Sequence, residues 1–323
     1  MNNTSSDIAL KFYDNHPEQA DFFEEVMEGL KAQPRRIPPK FFYDEKGSQL
    51  FDQICNVPEY YVTRTECKIL TDNIEEISQV VGSGCMLLEP GSGSSEKVRL
   101  LLDELKPETY VPMDISRNYL FDAARQVSEE FPWLDVHAAC VDFTSPMAIP
   151  DEIGQGRKVA FFPGSSIGNF EPDEAIGFLK NIAALVGKGG GLLIGVDVKK
   201  PVQILHAAYN DGQGVTAEFN LNLLERINNE LDADFNLDNF NHCAHFDEET
   251  GRIEMHLVSV KDHDVTVGDE TFFFNENETI HTECSYKYDV EEFQGLAEEA
   301  GFASKRVWQD DDSLFSVHYY ECV

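Results

Sequence analysis

An α/β architecture, with a mostly parallel sheet and a second α+β portion joined to it, follows from three features of the chain. Between Cys85 and Asp197, short apolar runs alternate with amphipathic helical patterns, the mark of repeated β-α-β units. Within that region, Met86-Leu87-Leu88-Glu89-Pro90-Gly91-Ser92-Gly93-Ser94-Ser95-Glu96-Lys97 reads as strand, glycine turn and first helical turn. Such a unit seats a nucleotide-like ligand at the carboxyl edge of a parallel sheet. After Val198 the rhythm fails and period-two segments with turn residues between them take over, which is antiparallel material.

Taken in order, the N-terminus predicts a helix over 17–31 with Phe22, Phe23, Val26, Met27 and Leu30 on one face. Prolines 34, 38 and 39 end it. A turn through Phe41–Ser48 leads to a short helix carrying Leu50, Phe51 and Ile54, and Thr63 is placed to cap a helix running to about Val80. Strands are expected at 85–89, 109–113, 134–141, 158–163 and 191–197. Helices at 95–105, 117–131 and 173–186 lie between them, the first capped by Ser94 or Ser95. Helices 202–209 and 215–230 precede β segments near 239–246, 252–260, 264–274 and 279–288. Helix 289–300 and a hairpin of 303–308 and 314–321 close the chain. The economical account is a seven-stranded domain, 65–197 plus 288–323, and a second unit, 1–64 plus 198–287.

Composition narrows the function classes. Of the 323 residues 42% are hydrophobic, enough for a buried core. No apolar run approaches the roughly 20 residues of a membrane span, and the polar start lacks a secretory pattern. Seven cysteines without a CxxC pair suit reduced thiols in a cytosol; a monomer without membrane contact is expected. A net charge of −34 repels nucleic-acid phosphates, and no basic stripe overrides it. The same charge reads either as a well-solvated surface or as adaptation to salt.

The glycine turn has Glu96 where a dinucleotide fold wants its third glycine, and no Gly-Lys-Ser/Thr follows, which argues against a pyrophosphate. Glu89 and Glu96 flank the turn and favour a phosphate-free, cationic ligand, and S-adenosylmethionine is one. Asp114, about 20 residues past Gly93, stands where a carboxylate holds ribose hydroxyls. Asp142-Phe143, at the next strand end, suits an adenine amino group and ring.

Two motifs are set aside. Gly164-Ser165-Ser166-Ile167-Gly168 matches a hydrolase nucleophile elbow, but that elbow needs a helix starting at the serine. Here Pro172 marks a later start. His242 and His245 fall on opposite faces of a strand, and neither has a metal-ligand partner at known spacing. No metal is expected.

At the level of longer motifs the chain resembles a known family. Phe41-Phe42-Tyr43-Asp44, Pro58-Glu59-Tyr60-Tyr61-x-Thr63-Arg64, Glu89-x-Gly91-Ser92-Gly93-x-Ser95-Glu96-Lys97 and Gly164-Ser165-Ser166-Ile167-Gly168-Asn169 occur in order. Ala208-Tyr209-Asn210-Asp211, Arg252-Ile253-Glu254-Met255 and Thr282-Glu283-Cys284-Ser285-x-Lys287 follow. From about residue 35 to the end, this is similar to the L-histidine Nα-methyltransferases of ergothioneine biosynthesis.

The resemblance implies a class I S-adenosylmethionine-dependent methyltransferase fold with an added substrate-binding domain. It implies stepwise conversion of L-histidine to its trimethylated betaine, with no metal. Gly91, Gly93, Lys97, Asp114, Asp142 and Phe143 would hold the cofactor, with Tyr60 near its amino-acid end or the substrate ring. Asn169 and Tyr209 would fix the substrate's carboxylate and amine beside Gly164 and Ser166, and Tyr43 would close the pocket. Glu283 and Ser285 would bind the imidazole, with Met255 packed beside it. Pro90 within the turn, and Ser166 where relatives carry threonine, are small departures. Another aromatic amine, such as a tryptophan derivative, is the alternative substrate, and a non-catalytic ligand-binding module the alternative class.

Overall fold

A computed structural model describes residues 10–14, 19–142, 153 and 156–323. The first part of the chain gives β1 (Lys11–Asp14), α1 (Gln19–Lys31), β2 (Arg35–Arg36), a 3-10 turn (Pro39–Phe42), α2 (Glu45–Asn56), α3 (Tyr61–Asp72) and α4 (Ile74–Val81). The alternating region follows as β3 (Met86–Pro90), α5 (Glu96–Leu105), β4 (Thr109–Asp114), α6 (Arg117–Glu130), β5 (Asp135–Cys140) and β6 (Lys158–Phe162). A 3-10 turn (Ser166–Asn169), α7 (Pro172–Val186) and β7 (Gly191–Asp197) complete it. Then come α8 (Val202–Tyr209), α9 (Val215–Glu230), β8 (Phe240–Asp247), β9 (Arg252–Ser259), β10 (His263–Val267), β11 (Glu270–Phe274) and β12 (Thr279–Tyr286). The chain ends with α10 (Val290–Glu299), β13 (Phe302–Gln309) and β14 (Phe315–Cys322).

The large sheet runs β1-β5-β4-β3-β6-β7-β14-β13. It is parallel except for β14 and β13, which pair antiparallel with β7 and with each other. Strand β3 is buried along its whole length. Its Met86 and Leu88 pack with α7 and α10 on one face, and Leu87 packs with α5 on the other. Cover on both faces is what a parallel sheet requires. The chain leaves β3 toward β4 and later returns to its other side as β6. The carboxyl ends of β3 and β6 therefore bracket the topological switch point, where such sheets open a crevice.

The smaller sheet runs β2-β12-β9-β8, and β10 and β11 form a separate hairpin. An isolated parallel bridge, Val198 to Tyr288, ties the start of the inserted segment to its end.

Several expectations need correction. The seven expected strands are joined by an eighth, β1, whose four residues pair with the open edge of β5. Its strand character comes from that pairing and not from its own pattern, and it moves Lys11–Asp14 from the second unit to the large sheet. Thr63 lies inside α3, which begins at Tyr61. Ser95 precedes α5 in the left-handed region without capping it; its Oγ instead accepts from the Tyr110 hydroxyl at 3.0 Å. The segment expected at 264–274 folds back on itself as β10 and β11. Pro172 does open α7, with a capping box between Glu171 and Glu174.

Candidate active site

On the cofactor side, the glycine turn leaves β3 and meets Asp114 at the end of β4. Asp114 accepts from the backbone N–H of Gly93 (3.0 Å) and of Ser116 (2.9 Å). Gly93 has φ +51, and a Cβ there would meet nothing within 4 Å. Its left-handed backbone needs glycine, and the space over the turn is open to a ligand. Beneath the turn Glu89 is buried against the Tyr110 hydroxyl, and burial lifts its carboxyl to about 8. Asp142, just past β5, holds Lys40 at 3.1 Å. Phe143 lies outside the described residues.

Lys97 links this crevice to a second cavity. Its Nζ sits 2.7 Å from Glu66, a fully buried carboxylate on α3. That carboxylate also accepts from the Gly164 N–H at 2.9 and 3.1 Å. Burial alone would lower the Lys97 ammonium, but the Glu66 charge outweighs it and the group is raised. The end of β6 and the first turn of α5 are thus fastened through one glutamate.

The second cavity encloses about 510 Å³, open solvent included, and is walled by the turn after β6, by β9 and β12 of the small sheet, and by α2, α8 and α9. All nine residues singled out for substrate line it: Tyr43, Tyr60, Gly164, Ser166, Asn169, Tyr209, Met255, Glu283 and Ser285. Tyr43 follows the 3-10 turn, wedged edge-on against Phe51 and Phe219. Tyr60 precedes α3, its ring 6.3 Å from that of Tyr209. Burial raises both phenols well above their ordinary range, so each keeps its proton. Asn169 ends the 3-10 turn after β6, which lies so close to β12 that a Cβ on Gly168 would fall 2.8 Å from the Tyr286 carbonyl.

Glu283 and Ser285 reach the cavity through a β-bulge in β12. The register shifts between His281 and Glu283, so Glu283 stands opposite Met255 of β9. Without the extra residue it would face the other side of the sheet. Burial raises the Glu283 carboxyl to about 7, with the Lys287 charge pulling the other way. Asn169 Nδ2 lies 3.5 Å from it.

Behind Ser285 lies a buried ion-pair network. Lys287 donates to Ser285 Oγ (2.6 Å) and Tyr209 Oη (3.1 Å), and Tyr209 donates to Ser285 Oγ (2.9 Å). Asp197, at the end of β7, pairs with Lys287 at 2.9 Å and with Lys200, and accepts from the Tyr61 hydroxyl at 2.8 Å. His242 steadies Tyr209 from the next strand, donating Nε2–H to its carbonyl while Nδ1 accepts from Asn220, both at 2.9 Å.

Glu66, Asp197 and Lys287 were not singled out from sequence. Glu66 had a signal, being a charge on the apolar face of α3 with Val62, Ile69 and Leu70. Lys287 is two residues past Ser285 on the same strand face, spacing that invites the same reading. Asp197 had none beyond ending a strand.

A doubly covered sheet with a glycine turn at its switch point is the fold found in S-adenosylmethionine-dependent methyltransferases. Such an enzyme from Clostridium acetobutylicum ATCC 824 has the same fold, with TM-score 0.50 and 12% identity over 85% of this chain and 98% of that one. Over residues 22–322 the chain matches, and belongs to, the family described as "Histidine-specific methyltransferase, SAM-dependent". It is 39% identical over 299 residues to a histidine N-alpha-methyltransferase of Mycolicibacterium smegmatis, covering 91% of this chain and 92% of that protein. The counterpart in Mycobacterium tuberculosis is 38% identical over 300 residues, again 91% and 92%. A 4-dimethylallyltryptophan N-methyltransferase of Claviceps purpurea is 28% identical over 331 residues, 94% of this chain and 95% of that one.

Proposed function

We propose that the protein methylates the α-amine of L-histidine, stepwise to the trimethylated betaine, on the route to ergothioneine. S-adenosylmethionine supplies the methyl group as an electrophilic sulfonium. The crevice suits a cation without phosphate: the space over Gly93 is open, Asp114 stands at its edge, and the one lysine beside it, Lys97, is neutralised by Glu66. Gly91, Gly93, Asp114 and Asp142 would hold it there, with Lys97 and Tyr60 at the boundary with the substrate cavity.

The observation that carries the choice of histidine is the hydrogen-bond polarity of Ser285 and Glu283. Both lone pairs of Ser285 Oγ are engaged, by Lys287 and by Tyr209, so its own O–H is left to donate. Glu283, as a carboxylate, accepts. A neutral imidazole matches both at once, offering one N–H and one bare nitrogen. An indole has no acceptor and would leave the Ser285 O–H unpaired, the kind of mismatch by which polar sites discriminate strongly. At the other end, Asn169, Tyr209 and Tyr43, with Gly164 and Ser166, would align the amine with the methyl group for in-line displacement. Enclosure disfavours the ammonium form, which helps the amine arrive without its proton.

We read the 65–197 and 288–323 segments as the cofactor half and the remainder, apart from β1, as the substrate half. We read the chain as a monomer, and its seven free cysteines support a cytoplasmic site. Incubation with S-adenosylmethionine and a panel of amino acids, read by mass, tests the proposal. Histidine gaining up to three methyl groups is the expected result; preference for a tryptophan derivative, or no transfer at all, refutes it.

A further inference from the structure

The face of the small sheet turned away from the substrate cavity carries a group of side chains that the methyl transfer does not use. Strand pairing sets His245 of β8 opposite Glu254 of β9, and Cys243 opposite His256. His281 of β12 stands opposite His256 from the other side. His242, by contrast, turns inward to Tyr209 and Asn220. We propose that His245, Glu254 and His256 form a binding site for a divalent transition cation of the Zn2+ kind, fastening β8 to β9.

Each of the three offers one donor atom, and these atoms all lie within 4.8 Å of one another. Glu254 Oε2 is 3.0 Å from His256 Nε2 and 3.8 Å from His245 Nε2. Donors about 2.0–2.2 Å from a tetrahedral ion stand about 3.3–3.5 Å apart, and these two separations straddle that span. The two imidazoles stack at 5.3 Å and 16°, and the third edge closes by rotation of His245, whose side chain is 47% exposed. Arg252 grips the other oxygen, Glu254 Oε1, at 2.6 and 2.9 Å, and is itself held by Tyr286 at 2.7 Å. That grip leaves Oε2 aimed at the imidazoles, the way ligating carboxylates are oriented by a further hydrogen bond. Two buried ring nitrogens beside the group, His256 Nδ1 and His281 Nε2, have no hydrogen-bond partner. They are further nitrogen donors beside the three ligand atoms, whose own His256 Nε2–Glu254 Oε2 hydrogen bond the ion would replace. Two imidazoles and one carboxylate select a borderline cation over Mg2+ or Ca2+, which prefer oxygen alone.

The test is calorimetric titration of the chelator-stripped full chain with Zn2+ in excess Mg2+, which occupies the non-specific sites of so acidic a surface. One saturable Zn2+ per chain is expected, with a rise in Tm. In His245→Ala the affinity should fall by more than about tenfold, a loss seen even for outlying partners of metal sites. His245 is exposed enough that the variant's metal-free Tm should match the parent, which checks that it folds. Zn2+ binding unchanged in His245→Ala, or no saturable Zn2+ binding by the parent above the Mg2+ background, overturns the proposal.

Discussion

Glu283 is a carboxylate whose position and protonation both come from its surroundings. Removing it by Glu283→Ala should raise KM for histidine by about tenfold or more, the loss of a charge-assisted hydrogen bond; steady-state kinetics would detect this. Its acid is held near 7 against an ordinary 4.5. Histidine capture should therefore improve as pH rises through about 7, and the pH profile of kcat/KM should lose that step in Glu283→Gln. The sign for stability is opposite. The folded state binds the proton more tightly, so this group's contribution is complete below about 4.5 and is lost as pH climbs through about 7. Lys287 is the other decisive residue. Lys287→Met leaves Asp197 with Lys200 as its cationic partner and strips a donor from Ser285 and Tyr209. Stability should drop by about 3 kcal/mol, the low end for a broken buried pair, measured by denaturant unfolding. Motifs brought Glu283 and Ser285 to notice, but the network behind them depends on Asp197, 90 residues away from Lys287 in the chain by subtraction of their numbers, and no local pattern announces it.

Among the elements, the parallel strands and the helices between them were readable because each carries its own periodicity. The 3-10 turn Ser166–Asn169 was readable only in part: Pro172 excluded a helix at Ser166, yet nothing local forecast how closely the turn lies on β12. Gly168 permits that approach, and a methyl group there meets the Tyr286 carbonyl at 2.8 Å. In Gly168→Ala the turn must lift and carry Asn169 with it. The expected outcome is a kcat/KM for histidine reduced by about 100-fold, as for a misplacement of roughly 1 Å. Cofactor affinity, read by calorimetry, should stay near the parent's. The bulge in β12 was illegible for a different reason. It is defined by which β9 residue stands opposite, and a strand's own sequence does not state its register. The edge strand β1 was missed on the same ground, since its partner makes it a strand.

For the whole molecule, the net charge of −34 sets the terms. Like charges spread over one fold repel, and salt shortens their reach to about 8 Å at physiological strength and about 3 Å at 1 M. Tm should rise steadily with added NaCl; equal stability in dilute buffer and in molar salt would rule out adaptation to salt. Chain charge and chain topology are independent here, and the topology is the more telling of the two. The excursion that builds the small sheet, β2 apart, departs after Asp197 and comes back through Lys287, with Val198 and Tyr288 bridged side by side. A detour whose two ends touch behaves like a cartridge in a socket. Changes within it leave unaltered the distance the large sheet must span. The socket is closed by a buried ion-pair network, Asp197 pairing with both Lys287 and Lys200, which holds the excursion in line with the large sheet. A change of acceptor can therefore be made within the excursion while the glycine turn and Asp114 stay as they are.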